Sequence, residues 1–310
     1  MEVAVVIVGA GQSGLAVAAC LNTLNISNLV LDRDDCIASL WRKRSYDRVH
    51  LHLAKNYCQL PYFPHPSTTP NFIPKAQFIS YLDDYAARFN ACIKLRRNVE
   101  SADFDDEAML WRIVVKNLST GETEEYTARF LVVASGENDM IVLPELEGME
   151  SFGGELVHSS QYRTGEKYEG KAVLVVGSGN SGMEIAYDLA CCGARTSIVV
   201  RSPLHMVTKE IWMLGMLLMK YLPCILVDAF VLFLCYLFFG DTSKYGLQRP
   251  DKGPFYLKIN TPAYPVIDVG TFKKIKSGEI QETRHTNVIE DIEYQANYFD
   301  GISFHIKHTR

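Results

Sequence analysis

Val3 to Asp32 reads VAVVIVGAGQSGLAVAACLNTLNISNLVLD. Its first six residues are an apolar run rich in β-branched side chains, the pattern of a strand buried on both faces of a parallel sheet. Gly9, Gly11 and Gly14 follow at once in a G-x-G-x-x-G spacing. The first glycine permits a tight turn, the second lets backbone amides approach a pyrophosphate, and the third lets helix pack against strand. A helix is expected over Leu15 to Leu24, begun at Ser13, with its first amides and its dipole aimed at the turn. Ala10, Gln12 and Ser13, set between the glycines, are candidate cofactor contacts. A second strand, Leu29 to Leu31, runs into Asp32, 18 residues beyond Gly14. That is close to the roughly 20 expected of a carboxylate that binds an adenosine ribose.

The pattern occurs twice. Lys171 to Arg201 reads KAVLVVGSGNSGMEIAYDLACCGARTSIVVR, again strand, glycines, helix and strand, with Gly177, Gly179 and Gly182 each 168 residues after its counterpart. So long an offset means a second nucleotide site in a second domain, not a short-period array. Ser178, Asn180 and Ser181 fill the second turn, and the second strand ends in Arg201, with Ser202 after it as a further candidate contact. A carboxylate suits a free ribose hydroxyl, whereas a guanidinium suits the 2′-phosphate of NADP. The first site is therefore expected to hold FAD and the second NADPH. The fold class that follows is α/β with two dinucleotide-binding Rossmann-like domains, the FAD domain carrying an inserted or following NADP domain. Residues 1–165 form the first, 166–284 the second, and 285–310 an incomplete return to the first.

The totals agree. The 310 residues suit about two domains, and 48% hydrophobic with 22% charged residues describe an ordinary folded chain. A net charge of −5 with only short basic runs, Arg42 to Arg44 and Lys94 to Arg97, argues against a nucleic-acid partner. Eight cysteines without C-x-x-C or metal-ligand spacing read as free thiols of a reducing compartment, with no metal site. The N-terminus opens into a core strand, so no secretory or transit peptide is expected. Ile211 to Gly240 is very apolar, but Lys220, Pro223 and Asp228 interrupt it, and Ala229 to Gly240 is shorter than the ~20 residues a bilayer requires. It reads as a helical pair on the second domain, with peripheral membrane contact open and no transmembrane span.

Between the motifs, the long loop after Asp32 lacks helical or strand period, as site-lining loops do. Leu40, Trp41, His50, His52 and Tyr57 on it are candidate flavin or substrate neighbours. Pro74 opens an amphipathic helix with Phe78, Leu82, Tyr85 and Phe89 on one face and Asp83 and Asp84 in solvent. Val99 to Phe104, Leu110 to Val115 and Glu124 to Thr127 alternate like half-exposed antiparallel strands and are expected to cover the parallel sheet as a layer. Phe130 to Ala134 reads as a buried strand leading into Ser135 and Gly136, and Pro144, Gly148, Gly153 and Gly154 as a domain junction. Lys273 to Arg310 reads as polar turns with two short strand-like runs.

Phe152, Gly154, His158 and Tyr162 fit F-x-G-x-x-x-H-x-x-x-[FY], which resembles the identifying motif of flavin-containing and N-hydroxylating monooxygenases. The runs from Asp35 to Pro61, Val132 to Asn138, Lys244 to Pro254 and Val266 to Ile280 sharpen the resemblance to the plant YUCCA-type enzymes. It covers Val3 to about Ile280. The resemblance implies a monooxygenase using FAD, NADPH and dioxygen, which converts the 2-oxo acid indole-3-pyruvate to indole-3-acetate in auxin biosynthesis. It places His52 where relatives carry an asparagine beside the flavin, and implies a cytoplasmic protein that can associate with the cytosolic face of the endoplasmic reticulum.

The chain departs from the family at Gln12 and Ala54, where proline is usual, and at Ser135, where threonine is usual. After YFDG it reads ISFHIKHTR where the family continues to an A-T-G-Y motif, so a C-terminal truncation is expected. The alternative function is a truncated, non-catalytic or weakly active dinucleotide-binding homologue. A flavin disulfide reductase would carry C-x-x-C or C-x4-C near the first site, and the sequence has neither.

Overall fold

A computed structural model describes residues 2–138, 141 and 152–283, and the backbone of 301–305. The chain divides into two compact units, Met1–Ile141 and Val142–Arg310.

In the first unit, β1 (Glu2–Val8) leads into α1 (Gln12–Thr23) and β2 (Asn28–Leu31). The expected site loop contains one short helix, α2 (Ser39–Lys43), and a 3-10 turn at Lys55–Tyr57. Then come α3 (Lys75–Arg88), β3 (Ile93–Lys94), β4 (Arg97–Asp105), β5 (Leu110–Asn117) and β6 (Thr123–Val133). The sheet order is β3-β2-β1-β6-β5-β4, parallel across the first four strands and antiparallel at β6-β5-β4. Alternation along β1 divides the core. Val5 and Ile7 pack with Ala10, Ala18 and Val30, while Val6 packs with Leu29, Leu31, Ile113, Val115 and Tyr126. Phe78, Tyr81, Leu82 and Tyr85 of α3 are buried with Leu15, Leu51 and Ile73, as the helical spacing predicts.

Two strand expectations change. Glu124 to Thr127 and the run from Phe130, as far as Val133, belong to one continuous strand, β6, and Phe130 and Val133 are 63% and 72% exposed rather than buried. The antiparallel strands share one hydrogen-bonded sheet with the parallel ones because β6 pairs with both β1 and β5. They still cover a face of it, since Ile113 and Val115 cluster with Val6.

The second unit runs β7 (Glu155–His158), β8 (Ala172–Val176), α4 (Asn180–Cys191), β9 (Arg195–Val199) and β10 (Met206–Val207). It continues with α5 (Lys209–Leu218), α6 (Cys224–Phe239), α7 (Pro254–Asn260), β11 (Val266–Ile267), α8 (Thr271–Ser277), β12 (Ile280–Thr283) and β13 (Gly301–His305). Its main sheet, β12-β9-β8-β13-β7, is parallel throughout, and β10 and β11 form a separate two-stranded ribbon.

The division falls earlier than residue 165, because β7 pairs in the second sheet. Gly301–His305, expected to rejoin the first domain, also pairs there, between β8 and β7. Pro144 and Gly148 of the expected junction, and the tail apart from 301–305 beyond Thr283, lie outside the described residues. Lys273 to Ser277, read as turn, is helical: the half-buried Asp268 carboxylate accepts the Phe272 amide at 3.1 Å and anchors the start of α8.

Candidate nucleotide sites

The two glycine turns are built alike. Gly9 has φ +111° and Gly177 φ +114°, a backbone that an L side chain rarely adopts. The Gly9 amide donates to Leu31 O at 2.8 Å and the Gly177 amide to Val199 O at 3.3 Å, so each turn closes on the end of the following strand. Gly11 and Gly179 cap the two helices with nearly identical backbones, φ −78° and −72° with ψ −177°, and no side chain caps either helix start. Unpartnered first-turn amides at the end of a parallel strand are what an anionic ligand seeks.

The glycines of the first turn differ in what they face. A Cβ on Gly14 would lie 1.9 Å from Gly9 O, and one on Gly9 would lie 2.3 Å from Ala134 O. These two are fixed by close packing of backbone on backbone. A Cβ on Gly11 would meet no protein atom within 4 Å, which leaves an open cradle beside the helix start.

Asp32 is buried at the end of β2, and its carboxylate accepts from the Ala10 amide at 2.6 Å and the Asp34 amide at 2.8 Å. The acid thus organises the turn. In the second turn, pairing of Val8 with Leu31 and of Val176 with Val199 sets the register, and Val200 takes the seat of Asp32. β9 ends at Val199, so Arg201 lies two residues beyond the strand, exposed, at the position of Arg33. The contrast between the strand ends is therefore carboxylate against apolar Val200, which is 6% exposed, with an arginine next to it in both. Ser202 is exposed beside Arg201. The one-residue difference in spacing, 18 against 19, was the sequence signal for this shift.

Gln12 and Asn180 open the two helices, but their side chains are engaged within the protein. Gln12 Oε1 accepts from Trp41 Nε1 at 3.2 Å. Asn180 Nδ2 donates to Pro265 O at 3.1 Å, and its Oδ1 accepts from the Ile267 amide at 2.8 Å. Ser13 lies on α1, Ser178 in the second turn and Ser181 on α4.

Trp41 and the half-buried Leu40 are brought to the first turn on α2. The Ala38 amide donates to Ala10 O at 3.0 Å, and the Trp41 ring meets Phe78 edge-on at 5.1 Å. Arg44 holds Asp34 in a two-pronged pair at 2.9 and 3.2 Å, closing the loop between β2 and α2. Burial of the Asp34 carboxyl is outweighed by that guanidinium, which holds it below the usual carboxylate range. His50 is exposed, with Nδ1 2.8 Å from Arg48 O, and Tyr57 is 41% exposed. His52 sits half-buried in a bend between Leu51 and the 3-10 turn.

Sequence reasoning missed the polar anchors of the second unit. Tyr162, the last motif residue, is buried and donates to Asp188 Oδ2 at 2.5 Å, which also accepts the Gly165 amide at 2.9 Å. Burial and that carboxylate push the Tyr162 phenol up. His158 Nδ1 accepts the Ser160 amide at 3.2 Å, which shapes the turn after β7. Asp228, the lone charge of the apolar helix α6, is buried and accepts the amides of Phe255 and Tyr256 at 2.8 and 3.0 Å, capping α7 from outside. A single acid in an otherwise apolar helix of sixteen residues was the available signal. The rest of α6 confirms the expected helical pair. Val227, Val231, Cys235 and Phe239 are buried, whereas Ile225, Phe233, Leu237 and Phe238 are more than half exposed. Among the described residues no helix is long and apolar enough to cross a membrane, and no metal-ligand cluster occurs. All eight cysteines are free thiols.

A family described as pyridine nucleotide-disulphide oxidoreductase matches residues 6–213. The chain is 53% identical over 281 residues to a probable indole-3-pyruvate monooxygenase, YUCCA10, of Arabidopsis thaliana, covering 91% of this chain and 73% of the relative. It is 48% identical to the indole-3-pyruvate monooxygenase YUCCA6 of the same plant, covering 89% and 67%. It thus spans about two thirds to three quarters of the length of these relatives. Among solved structures, an oxidised steroid monooxygenase bound to NADP matches with a TM-score of 0.75 at 17% identity, covering 98% of this chain and 71% of that one. A flavin-containing monooxygenase from Stenotrophomonas maltophilia matches with a TM-score of 0.67 at 18% identity, covering 100% and 79%. At such identity these two speak for the fold, and the plant relatives carry the assignment: the chain belongs to the YUCCA family of indole-3-pyruvate monooxygenases.

Proposed function

We propose that the chain uses FAD, NADPH and dioxygen to convert indole-3-pyruvate to indole-3-acetate, with FAD in the first unit and NADPH in the second. The observation that carries this reading is the duplicated turn with its divergent strand end, Asp32 in one unit and Val200-Arg201 in the other. When bound, FAD supplies the oxygen chemistry and NADPH its electrons. The protein's own part is binding and orientation. The first amides of α1 and the Gly11 cradle take a pyrophosphate, and Asp32 accepts from a ribose hydroxyl. Val200 leaves room where Asp32 would repel a phosphate, and the exposed Arg201 guanidinium pairs with the 2′-phosphate. His52 is the candidate hydrogen-bond partner of the flavin. Membrane spanning is not part of the reading, but the exposed apolar face of α6 supports peripheral contact at the cytosolic face of the endoplasmic reticulum.

The deciding experiment is the absorption spectrum of the purified 310-residue protein, taken before and after anaerobic NADPH and again after air and indole-3-pyruvate. Bound flavin that bleaches and then recovers as indole-3-acetate forms supports the reading. A protein that stays colourless with added FAD overturns it and leaves a non-catalytic nucleotide-binding homologue.

A further inference from the structure

Gln12 and Asn180 occupy the same position, the first residue of the helix in each turn, 168 residues apart. Each carries a side-chain amide, and each amide is spent on a segment far away in the chain. For Asn180 that segment is Pro265 to Thr271. β11 pairs with β10 through the Val266 amide to His205 O at 2.8 Å and the Asp268 amide to Val207 O at 2.9 Å. In a strand the amide between those two points to the opposite edge. Asn180 Oδ1 takes it, while Nδ2 holds Pro265 O, so the side chain pairs with the strand as a further strand would.

The contact continues down α4. Thr271, fully buried, donates from Oγ1 to Met183 O at 2.8 Å. Gly270, at φ +113°, lies so close to Tyr187 that a Cβ would come within 2.7 Å of the ring. Positions 180, 183 and 187 share one helix face, so the segment is laid along that face from the helix start. In the first unit Gln12 Oε1 holds the indole of Trp41, and α2 is fixed to the turn by the Ala38 amide on Ala10 O.

We propose that Asn180 and Gln12 are positioning residues, each tying a wall segment beside the nucleotide site rather than touching the nucleotide with its side chain. The wall is Pro265–Asp268 in the second unit and the Trp41 face of α2 in the first. For Asn180 to reach a phosphate it would have to abandon both backbone partners, leaving a carbonyl and an amide unpaired. The inference rests on reading the helix starts as nucleotide sites, and the test keeps the two apart.

The test uses the full chain and begins without nucleotide, with amide hydrogen exchange of the wild type and Asn180→Ala. The Ile267 amide exchanges faster in the variant while Val266 and Asp268, bonded to β10, stay protected. Unchanged exchange at Ile267 overturns the inference whatever binds. Titration with NADP⁺ and NAD⁺ follows, for Asn180→Ala, Ile267→Pro and the double variant. Ile267→Pro deletes the donor from the other end and secures the result if Asn180→Ala folds poorly. Loss of the tie weakens both nucleotides by the same factor, about two- to tenfold, and the double variant loses no more than Asn180→Ala alone, which already removes both hydrogen bonds. Additive losses, or a loss confined to NADP⁺, make Asn180 a direct ligand and overturn the inference. A wild type that binds neither nucleotide overturns the functional reading, and with it any positioning role, even if the Ile267 exchange behaves as expected. In the first unit, with Trp111→Phe and Trp212→Phe leaving Trp41 as the sole indole, Gln12→Ala shifts its emission to the red. An unchanged emission overturns the role of Gln12.

Discussion

The two units use one turn for two ends. Both close a positive-φ glycine on the following strand and leave a glycine-capped helix start open. They part at one seat: the first unit buries a carboxylate there and uses it to hold its own Ala10 amide, while the second buries Val200. They also part in their connections. The first unit follows its second strand with the short helix α2, whereas the second inserts α5 and α6, and the lone charge of α6 is tied to α7. The lesson is that a duplicated backbone leaves the difference between the units to single side chains at the strand end, because a glycine turn offers little beyond backbone amides.

The largest effect expected from breaking this comparison is inside the first turn. Gly14→Ala drives a methyl group into Gly9 O and destabilises the first unit by about 3 kcal/mol, with flavin lost in consequence. Gly11→Ala meets only open space and changes apo stability by less than about 1 kcal/mol, while flavin retention drops. Thermal unfolding with and without FAD separates the two, and equal destabilisation would refute the open cradle.

Next comes the helical pair peculiar to the second unit. Asp228→Ala leaves the Phe255 and Tyr256 amides without their acceptor and lowers the stability of that unit by about 3 kcal/mol, measured by denaturant unfolding.

The seat itself can be exchanged. Arg201→Ala raises the KM for NADPH far more than that for NADH, by about 1–3 kcal/mol. Val200→Asp, which gives the second turn the acid of the first, acts in the same direction. Equal effects on both cofactors would break the proposed contrast.

The smallest effect concerns the sheet of the first unit. Arg97, with Asn117 and Tyr126, surrounds the Glu124 carboxylate and lowers its pKa to about 2. A depressed acid stabilises the folded state fully above its ordinary value of 4.5, and the contribution fades as pH falls from there towards about 2. Because the pair is partly solvated, about 1 kcal/mol is at stake. Glu124→Gln should flatten the acid limb of the stability curve in that window, and an unchanged limb would show that the cluster contributes nothing.

Much of this was legible in the chain. Val3 to Asp32 and Lys171 to Arg201 announce strand, turn, helix and strand, because β-branched runs, glycine spacing and a terminal acid are local features with local consequences. The amphipathic helix after Pro74 and the break of the apolar segment at Pro223 are local in the same sense. The register that seats Val200 opposite Asp32 is not local, since one residue of offset is decided by which carbonyl the Gly177 amide finds. Nor could spacing show that the side chains of Gln12 and Asn180 turn away to Trp41 and Ile267, 29 and 87 residues distant. The merging of two strand readings into β6, and the placing of Gly301–His305 between β8 and β7, likewise depend on strand partners remote in sequence. By itself the sequence determined two glycine turns and the family; tertiary structure decided the register of the strand ends and which side chains of the turns are engaged elsewhere in the protein, because hydrogen-bond partners are chosen across the fold.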